Sequence, residues 1–514
     1  MSRLKKAISG VFSSYVLLGA AAVYSLASVP VALHFLNAPD FGLWVLMGSI
    51  SGYFNLIDLG MTGAAARLLI DYKDDTKSGE YGSLVQTSVA VSLVQGLIIM
   101  IMGVMIAHLS GRFLKLEGGQ LQSFIKLFDL QCVVIMLMFS TRIFGMLLNA
   151  HQRMDIGNYA NVVGLLFNIL SQVLFFKLGW GVLSLSLGAL ASTLLVLPIL
   201  IYYCIRLDFL PARGCWGRVS RAKFLEVFSL GKDLFLVSLG TQLIMASQSI
   251  VLTRTLGIEA SAAWGVGTRV FNLLNQIIWK ISDMSGSAFA EMITRGEIGK
   301  LRLRYETLTR FTASLAGVIA VIFAACNSGF VAVWAHHKIP WNCQNDIMLG
   351  LWMIVLAVFH CHGVFVLLTK EVRMMKYVYF VEGVFFVLIG IPVSEIAGIK
   401  GLILCSILCN LCFSGSYSIH RIARYFKVSF WEVACGWMLP MPRLVILLGV
   451  TAVIEGYLLI RAPEILSLIT KGSLLLLLGG VLLIRTTLRG EQLSMISTHL
   501  PLPFRKTIHY IAGA

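Results

Sequence analysis

Apolar runs of roughly 20 residues recur about 14 times along the chain, and each is long enough to cross a membrane as a helix. The composition agrees, because 58% of the residues are hydrophobic and only 13% are charged. A soluble domain has about 25% charged residues. The first run begins at Val11, after the basic start MSRLKKAISG, and it is too long for a signal peptide. We predict an all-α polytopic membrane protein with about 14 transmembrane helices.

The net charge of +16 comes from lysines and arginines that concentrate in alternate loops between the apolar runs, most densely at 206–223 and near 295–304. This asymmetry is typical of the positive-inside rule. It predicts that both termini are cytoplasmic, and it argues against nucleic acid as a partner. The 10 cysteines are scattered, mostly within apolar runs, which favours packing over a disulfide framework.

An internal repeat with an offset of about 220 residues divides the chain into two halves. The glycines and the apolar residues of 10–19 match those of 231–240, and Trp44 matches Trp264. Because the copies are separated by about six spans, an even number, we expect a parallel repeat. The basic loop 206–223 is the natural linker between the halves.

Polar residues in the second span fall on one narrow stripe if the span is a regular helix. The stripe consists of Trp44, Ser51, Asn55, Asp58 and Thr62. Arg67 falls on the opposite side, so we expect it to pair with Asp71 or to reach the cytoplasmic surface rather than to face Asp58. A charged residue in a membrane normally faces a bundle interior or a wet cavity.

The eighth span has the clearest polar face. It carries Arg269, Asn272, Gln276, Lys280, Asp283 and Ser287. One interpretation is a polar seam between helices, in which Lys280 and Asp283 neutralise each other at i, i+3. The other is the wall of a hydrated cavity, which we favour because Arg269 has no acidic residue three or four positions away.

Three further polar residues within spans are weaker candidates for the cavity. Gln242 lies on a small polar face of the seventh span. Asp129 follows Lys126 by three positions and can pair with it. Arg142 lies where it can also anchor the helix at the cytoplasmic boundary.

Several motifs argue against catalysis and metal binding. The run 405-CSILCNLC-412 has the cysteine spacing of one iron–sulfur motif but lies within an apolar helix, where packing explains it. No further ligands surround 360-HCHG-363, so we predict no metal site. The chain has no phosphate-binding loop. We predict that it is not an enzyme and has no catalytic residues.

The run 41-FGLWVLMGSISGYFNLIDLGM-61 resembles the signature of bacterial polysaccharide flippases, as does 142-RIFGMLLNAHQRMDIGNYANVVGLL-166. The segment 229–270 resembles the opening of their second half. The resemblance implies the multidrug/oligosaccharidyl-lipid/polysaccharide (MOP) exporter superfamily, with two six-helix bundles around a central cavity and two extra helices. The corresponding limits here are 1–205, a linker at 206–223, 224–427, and 428–514 for two extra helices and a cytoplasmic tail.

The resemblance further implies translocation of an undecaprenyl-pyrophosphate-linked oligosaccharide across the bacterial inner membrane, for O-antigen, capsule or exopolysaccharide. Arg269 and Lys280 are then our candidates for binding phosphate or acidic sugars. The candidates for contacts with glycan hydroxyls are Asn272, Gln276, Ser51 and Asn55. Asp58 and Asp283 are candidates for protonation or cation binding that biases inward against outward states.

No cofactor is expected apart from coupling to H⁺ or Na⁺. The expected partners are the lipid-linked oligosaccharide, membrane lipid and the machinery of a polysaccharide polymerase or ligase. Two alternatives share the fold, a cation-coupled multidrug exporter and a flippase for a peptidoglycan precursor. A drug exporter favours an acidic, aromatic cavity, whereas the eighth span offers Arg269 and Lys280. A membrane-bound glycan polymerase or ligase normally has a large periplasmic loop, and no such loop is evident.

Overall fold

The computed structural model describes residues 3–72, 79–231, 235–369, 374–436, 438, 441–458 and 464–487. Every regular element in these ranges is a helix, which confirms the all-α class. The predicted cytoplasmic tail lies beyond the described residues. The chain divides into two compact units, Met1–Gly265 and Val266–Ala514. The limits predicted from the repeat, with a linker at 206–223, stay a prediction, since compactness and repeat boundaries are different properties.

The first unit consists of long apolar helices and several short ones. Its elements are α1 (Arg3–Phe35), α2 (Ala38–Gly52), a 3₁₀ helix (Tyr53–Asp58), α3 (Met61–Tyr72), α4 (Gly79–Leu114), α5 (Gly118–Thr141), α6 (Ile143–Ala150), α7 (Met154–Lys177), α8 (Leu183–Arg206), α9 (Arg221–Gly231), α10 (Phe235–Met245), α11 (Ser247–Leu256) and α12 (Ile258–Gly267), whose last two residues belong to the second unit.

The second unit continues with the helices α13 (Arg269–Thr294), α14 (Ile298–Trp334), α15 (Cys343–Leu368), α16 (Met375–Asn410), a π-helical turn (Leu411–Gly415), α17 (Ser416–Phe426), α18 (Phe430–Gly436), α19 (Met441–Leu458) and α20 (Glu464–Thr487). The last two helices pack on α14. Their contact includes Gly479, where a β-carbon would lie 2.5 Å from Val318. Small residues of this kind let membrane helices approach closely.

Eleven helices among the described residues are long and apolar enough to span a membrane. The predicted count of 14 spans exceeds these eleven because of differences at three places. The second span is broken, and α13 carries many polar residues. One 52-residue stretch, Met375–Phe426, counts once although Gly398 interrupts it with a φ of 63° and a ψ of −149°. A bend of this kind separates two predicted spans.

The second span is interrupted in its middle. Between the end of α2 and the start of α3, Leu59 and Gly60 adopt φ angles of 50° and 73°. Such left-handed residues end regular helical geometry. Asp58 then holds the start of α3, because its carboxylate accepts bonds from the Thr62 amide at 3.2 Å and the Thr62 hydroxyl at 2.5 Å.

This break corrects the stripe predicted for the second span, which assumed one continuous helix. Its members lie on three different elements: Trp44 and Ser51 on α2, Asn55 and Asp58 on the 3₁₀ helix, and Thr62 on α3. Helical periodicity therefore does not describe which way these side chains point relative to one another. The separation of Arg67 from Asp58 holds, since Arg67 is exposed on α3 and Asp58 binds elsewhere.

The helices of the first unit pack tightly around small residues. A β-carbon at Gly103 of α4 would lie 2.1 Å from the sulfur of Cys132 on α5, and one at Gly96 would lie 2.8 Å from Ser140. Because lipid provides no hydrophobic drive between helices, such close backbone approach and its dispersion contacts are a main source of stability. The long pair α4 and α5 thus forms a rigid support for the broken span.

Candidate functional site

The break in the second span lies against the seventh predicted span, which α10 and α11 form. Ala246 joins these two helices with a helical φ of −86° and ψ of −26°, and its amide donates to the Gln242 carbonyl at 2.9 Å, so this span is continuous. Gln242 of α10 donates from Nε2 to the carbonyl of Gly52 at 2.5 Å, and the hydroxyls of Tyr53 and Ser247 bond to each other. These bonds satisfy polar groups that the break exposes. Interrupted helices at membrane depth are tolerated only where such partners exist, and they often line a transport pathway.

The two charges that dominate this region are Asp58 and Arg142. The Arg142 Nη1 lies 2.5 Å from Asp58 Oδ1, and only 16% and 19% of the two side chains are exposed. Arg142 follows α5, so the pair connects the broken span to the neighbouring long helix. The guanidinium also lies over the ring of Phe139, 4.6 Å from its centroid. Asp58, a candidate for coupling, and Arg142, a candidate for the cavity, therefore form one site.

Two residues of α4 complete the site, and sequence reasoning missed both. Gln95 accepts a bond from Arg142 through Oε1 and donates to the carbonyl of Ile57 at 2.9 Å. Ser92 accepts a bond from Arg142 Nε at 3.4 Å. The sequence did contain one signal for this site, the amide side chain of Gln95 within a long apolar run. An amide that is buried, as Gln95 is, needs polar partners.

The arrangement neutralises a carboxylate inside the membrane by an arginine and neutral donors. The guanidinium and the Thr62 hydroxyl supply charge-assisted hydrogen bonds to this carboxylate. Breaking the ion pair leaves a charge with fewer partners in a low-dielectric environment, which is costly. The site can therefore act as a two-state contact, because any movement that separates Asp58 from Arg142 needs a replacement partner for each.

The polar face of α13 is continuous, because no break interrupts the helix between Arg269 and Thr294. The exposed members of the predicted face are Asn272, Gln276, Lys280 and Asp283, whereas Arg269 is half-buried. No ion pair involving Lys280 is present in the described part of the chain. Lys280 thus presents an uncompensated ammonium group on this face.

The neutralisation of Lys280 by Asp283, which belongs to the polar-seam interpretation, is absent from the described residues. Asp283 instead binds His360 of α15, with Oδ1 2.8 Å from Nε2. The His360 ring stacks on Trp279, with ring centroids 4.8 Å apart. The partner lies on another helix, so sequence spacing cannot reveal it. Asp283 is then held by an imidazole rather than by an ammonium three residues away.

Two of the other candidates, Ser51 and Asn55, bond to groups three or four positions away in the chain. Ser51 donates to the sulfur of Met47 at 3.5 Å, and Asn55 donates to the carbonyl of Gly52 at 3.2 Å. Asp129 is half-buried, and its Oδ1 has no hydrogen-bond partner among the described residues. The anticipated pair with Lys126 is not formed there.

Two carboxylates in the second unit are fully buried. Asp346 of α15 accepts bonds from Trp341 Nε1 and Asn327 Nδ2, each at 2.7 Å. Glu382 of α16 accepts bonds from Asn410 Nδ2 at 2.6 Å and from the Ser414 amide at 3.0 Å. Neutral donors surround both groups, which lock α14 to α15 and α16 to the π-helical turn.

No group of three or more His, Cys, Asp or Glu side chains able to hold a metal ion occurs in the described ranges. The three cysteines of 405–412 are free, two of them buried in the helix. The potential ligands for a monovalent cation are oxygen atoms, of which the carboxylates just described are the strongest.

Comparisons with known proteins agree on family and fold. A family model described as "Polysaccharide biosynthesis protein" matches residues 8–286. No curated protein sequence matches the chain. The matched stretch includes the broken second span, Arg142 and most of α13.

Solved structures with a similar fold include two transporter types. The inward-facing form of a multidrug resistance transporter of the MOP superfamily has a TM-score of 0.67 at 15% identity, covering 79% of this chain and 95% of its own. The lipid II flippase MurJ has a TM-score of 0.67 at 12% identity, covering 95% and 100%. A MOP superfamily transporter from Pyrococcus furiosus has a TM-score of 0.56 at 16% identity, covering 83% and 97%. At these identities the likeness shows the fold alone.

Proposed function

Because the chain belongs to the polysaccharide biosynthesis protein family and has the MOP superfamily fold, we propose that it translocates an undecaprenyl-pyrophosphate-linked oligosaccharide. The proposed direction is from the inner to the outer leaflet of a bacterial inner membrane, by alternating access. The observation that carries this proposal is the family match over residues 8–286, which covers more than half of the chain.

The polar face of α13 supports an anionic substrate. A diphosphate needs cationic donors, and its glycan needs amides and hydroxyls. The exposed face supplies one uncompensated ammonium, Lys280, together with the amides of Asn272 and Gln276. Its carboxylate, Asp283, is held by His360. This face therefore offers a diphosphate-linked glycan one cation and two amides.

The ion pair Asp58–Arg142 supports a conformational role within the same proposal. In one state the two groups neutralise each other. In the other, Arg142 is available to substrate phosphate, and Asp58 takes up a proton or a sodium ion. Coupling of this kind links the direction of transport to an ion gradient. Asp283 has an analogous role in this proposal, in which it exchanges its bond to His360 for a proton or a sodium ion.

Two other cargoes fit the same fold. The multidrug transporter and MurJ have equal TM-scores, so fold does not separate a drug from a lipid-linked glycan. A peptidoglycan precursor has the same diphosphate and polyprenyl chemistry as our proposed substrate. The family match favours the polysaccharide repeat unit over both.

Deletion of the gene tests the proposal in cells. We expect loss of surface polysaccharide and accumulation of lipid-linked repeat units on the inner face of the membrane. The variant Lys280→Glu should fail to restore surface polysaccharide, whereas Lys177→Glu, at the exposed end of α7, should restore it at equal protein level. Normal surface polysaccharide together with hypersensitivity to drugs in the deletion strain contradicts the proposal and favours the drug exporter.

A further inference from the structure

The first unit contains a long apolar groove beside α4. Its volume is about 880 Å³. Along α4 it is lined from Thr87 to Ile106, and the broken second span closes its other side with Tyr53, Leu56 and Ile57. Fifteen of the 20 described side chains that line it are apolar, and the polar ones are Tyr53, Thr87, Gln95, Ser220 and Arg221. No residue of α13 is among the described residues that line it.

The dimensions of the groove match a single extended chain. The residues from Thr87 to Ile106 cover about 28 Å of helix, at about 1.5 Å per residue. A volume of about 880 Å³ over that length describes an elongated groove. An extended polypeptide in lipid would leave its backbone unsatisfied. A hydrocarbon chain has no backbone to satisfy.

The length also distinguishes one lipid from another. A bilayer has a hydrocarbon thickness of about 30 Å, so a lipid of one leaflet reaches only about 15 Å. The groove is almost twice as long as that. A polyprenyl chain is long enough to follow it through both leaflets, whereas a phospholipid tail fills half of it.

One end of the groove, which we call the mouth, is lined by the polar residues Thr87, Ser220 and Arg221. The loop before α9 is fixed to α4 by two bonds, from the Ser220 amide to Thr87 Oγ1 at 3.1 Å and from Ser83 Oγ to the Arg218 carbonyl at 2.6 Å. Gly217 makes this approach possible, because it has a φ of 67° and a β-carbon there would lie 2.6 Å from the Gly79 carbonyl.

Arg221, which lines the mouth, and Lys223 are both cations of α9, and they differ in how many groups already bind them. Lys223 is bound by Glu80 at 2.8 Å, by Tyr72 at 2.8 Å and by Glu226 at 3.5 Å. Arg221 lines the groove and is exposed. No acidic partner for Arg221 occurs among the residues that the structure describes. Its guanidinium can therefore bind an oxyanion with two parallel hydrogen bonds.

We propose that this groove holds the polyprenyl chain of the carrier lipid in a loading state, in which Arg221 at the mouth binds the diphosphate before it reaches Lys280 or Arg142. The inference rests on the proposed function and adds a separate site for the lipid part of the substrate. The aromatic side chains of Phe224 and Phe228, stacked with ring centroids 5.9 Å apart, form the entrance between the charged mouth and the apolar groove.

Photo-crosslinking of the purified full-length protein tests the inference, with a glycan-free undecaprenyl diphosphate that carries a benzophenone on its chain. Val94→Trp places an indole in the groove, whereas Leu93→Trp does not. The two native side chains are matched on α4, since they are 56% and 52% exposed. We expect Val94→Trp to lower labelling about 10-fold and Leu93→Trp to leave it within about 2-fold of wild type.

Substitutions that change the charge of Arg221 test whether the mouth binds the diphosphate. Arg221→Glu should lower labelling about 10-fold, Arg221→Lys should retain most of it, and Arg213→Glu, on the same loop but outside the groove, should not change it. An excess of phosphatidylglycerol should not displace the probe. If Val94→Trp labels like wild type, or if phosphatidylglycerol competes at an equal mole ratio, the inference is wrong and the groove is an ordinary lipid-facing crevice.

Labelling and transport separate the two proposals. A wild-type protein that translocates lipid-linked oligosaccharide while Val94→Trp and Arg221→Glu still bind the probe normally refutes the groove and leaves the function intact. A wild-type protein that translocates no such lipid refutes the function. Loss of labelling in Val94→Trp and Arg221→Glu supports the groove in either case.

Discussion

A double-mutant cycle on Asp58 and Arg142 tests whether the broken second span is held by their ion pair. Asp58→Asn keeps the size of the side chain and its bonds to Thr62 but removes the charge. Arg142→Met keeps an unbranched apolar stem over Phe139 and removes the guanidinium. The double variant removes both charges, so it leaves no unpaired ion in the membrane.

The expected magnitude follows from burial. Only 16% and 19% of the two side chains are exposed. Either single variant should therefore lower the free energy of unfolding by about 3 kcal/mol, between the roughly 1 kcal/mol of a surface pair and the roughly 3–5 kcal/mol of a buried one. The double variant should cost about 2 kcal/mol less than the sum of the two single variants.

The cycle can be measured by thermal unfolding of the detergent-purified protein, followed through tryptophan fluorescence. At about 2 °C per kcal/mol for a unit of this size, each single variant should lower the midpoint by about 6 °C. Arg295→Met is the matched control, because its pair with Glu291 is 65% and 60% exposed and is worth about 1 kcal/mol or less. Additive effects of Asp58→Asn and Arg142→Met would show that the pair does not couple the two helices.

Three further changes test the packing, the bond between α10 and the end of α2, and the charge of Lys223. Gly103→Val should destabilise by about 3 kcal/mol, because a β-carbon there would lie 2.1 Å from the sulfur of Cys132. Gln242→Ala should cost about 1 kcal/mol, because the Gly52 carbonyl loses one of its two side-chain donors and keeps Asn55. Lys223→Met should cost about 1 kcal/mol at neutral pH, and the difference from wild type should shrink as the pH rises above about 10.4.

The sign of the pH effect follows from the surroundings of Lys223. Burial disfavours its charge, but the hydrogen bonds to Glu80 and Tyr72 and the charge of Glu226 outweigh burial and raise the pKa of Lys223. A raised pKa stabilises the fold fully below the pKa of the unfolded chain, and this stabilisation is lost as the pH rises through the folded value. A difference that persists unchanged to about pH 12 would contradict this reasoning.

Matched variants control for nonspecific effects of the other two changes. Gly119→Val places the same side chain on α5, where no heavy atom lies within 4 Å of the added β-carbon, and it should change the midpoint little. Gln122→Ala removes an exposed amide of α5 and should be neutral. If Gly103→Val and Gly119→Val destabilise equally, close packing of α4 on α5 is not the cause.

Composition and apolar periodicity were sufficient to predict an all-α membrane protein, because lipid leaves the helix as the main way to satisfy the backbone. The face of α13 was also predictable, since a continuous helix repeats every 3.6 residues. The same arithmetic failed for the second span. The backbone of Leu59 and Gly60 adopts positive φ angles there. The apolar periodicity around Asp58 does not predict that break.

Partners across helices were not predictable from spacing. Asp58 binds Arg142, and Asp283 binds His360, each on a distant part of the chain. Helical spacing predicts side-chain partners only three or four positions away, and for Asp283 that partner was Lys280. Long-range pairs depend on how helices pack, and that information is spread over many apolar side chains.

The most direct test of the central claim is a flipping assay with the purified protein in proteoliposomes. The substrate is an undecaprenyl-diphosphate oligosaccharide that carries a fluorophore on its glycan, and an impermeant reductant bleaches only the molecules that face outward. We predict that wild-type protein makes the inner pool bleachable much faster than protein-free vesicles, and that Lys280→Glu slows this about 10-fold whereas Lys177→Glu does not. Bleaching at the rate of protein-free vesicles, with wild-type protein folded and inserted, would contradict the claim.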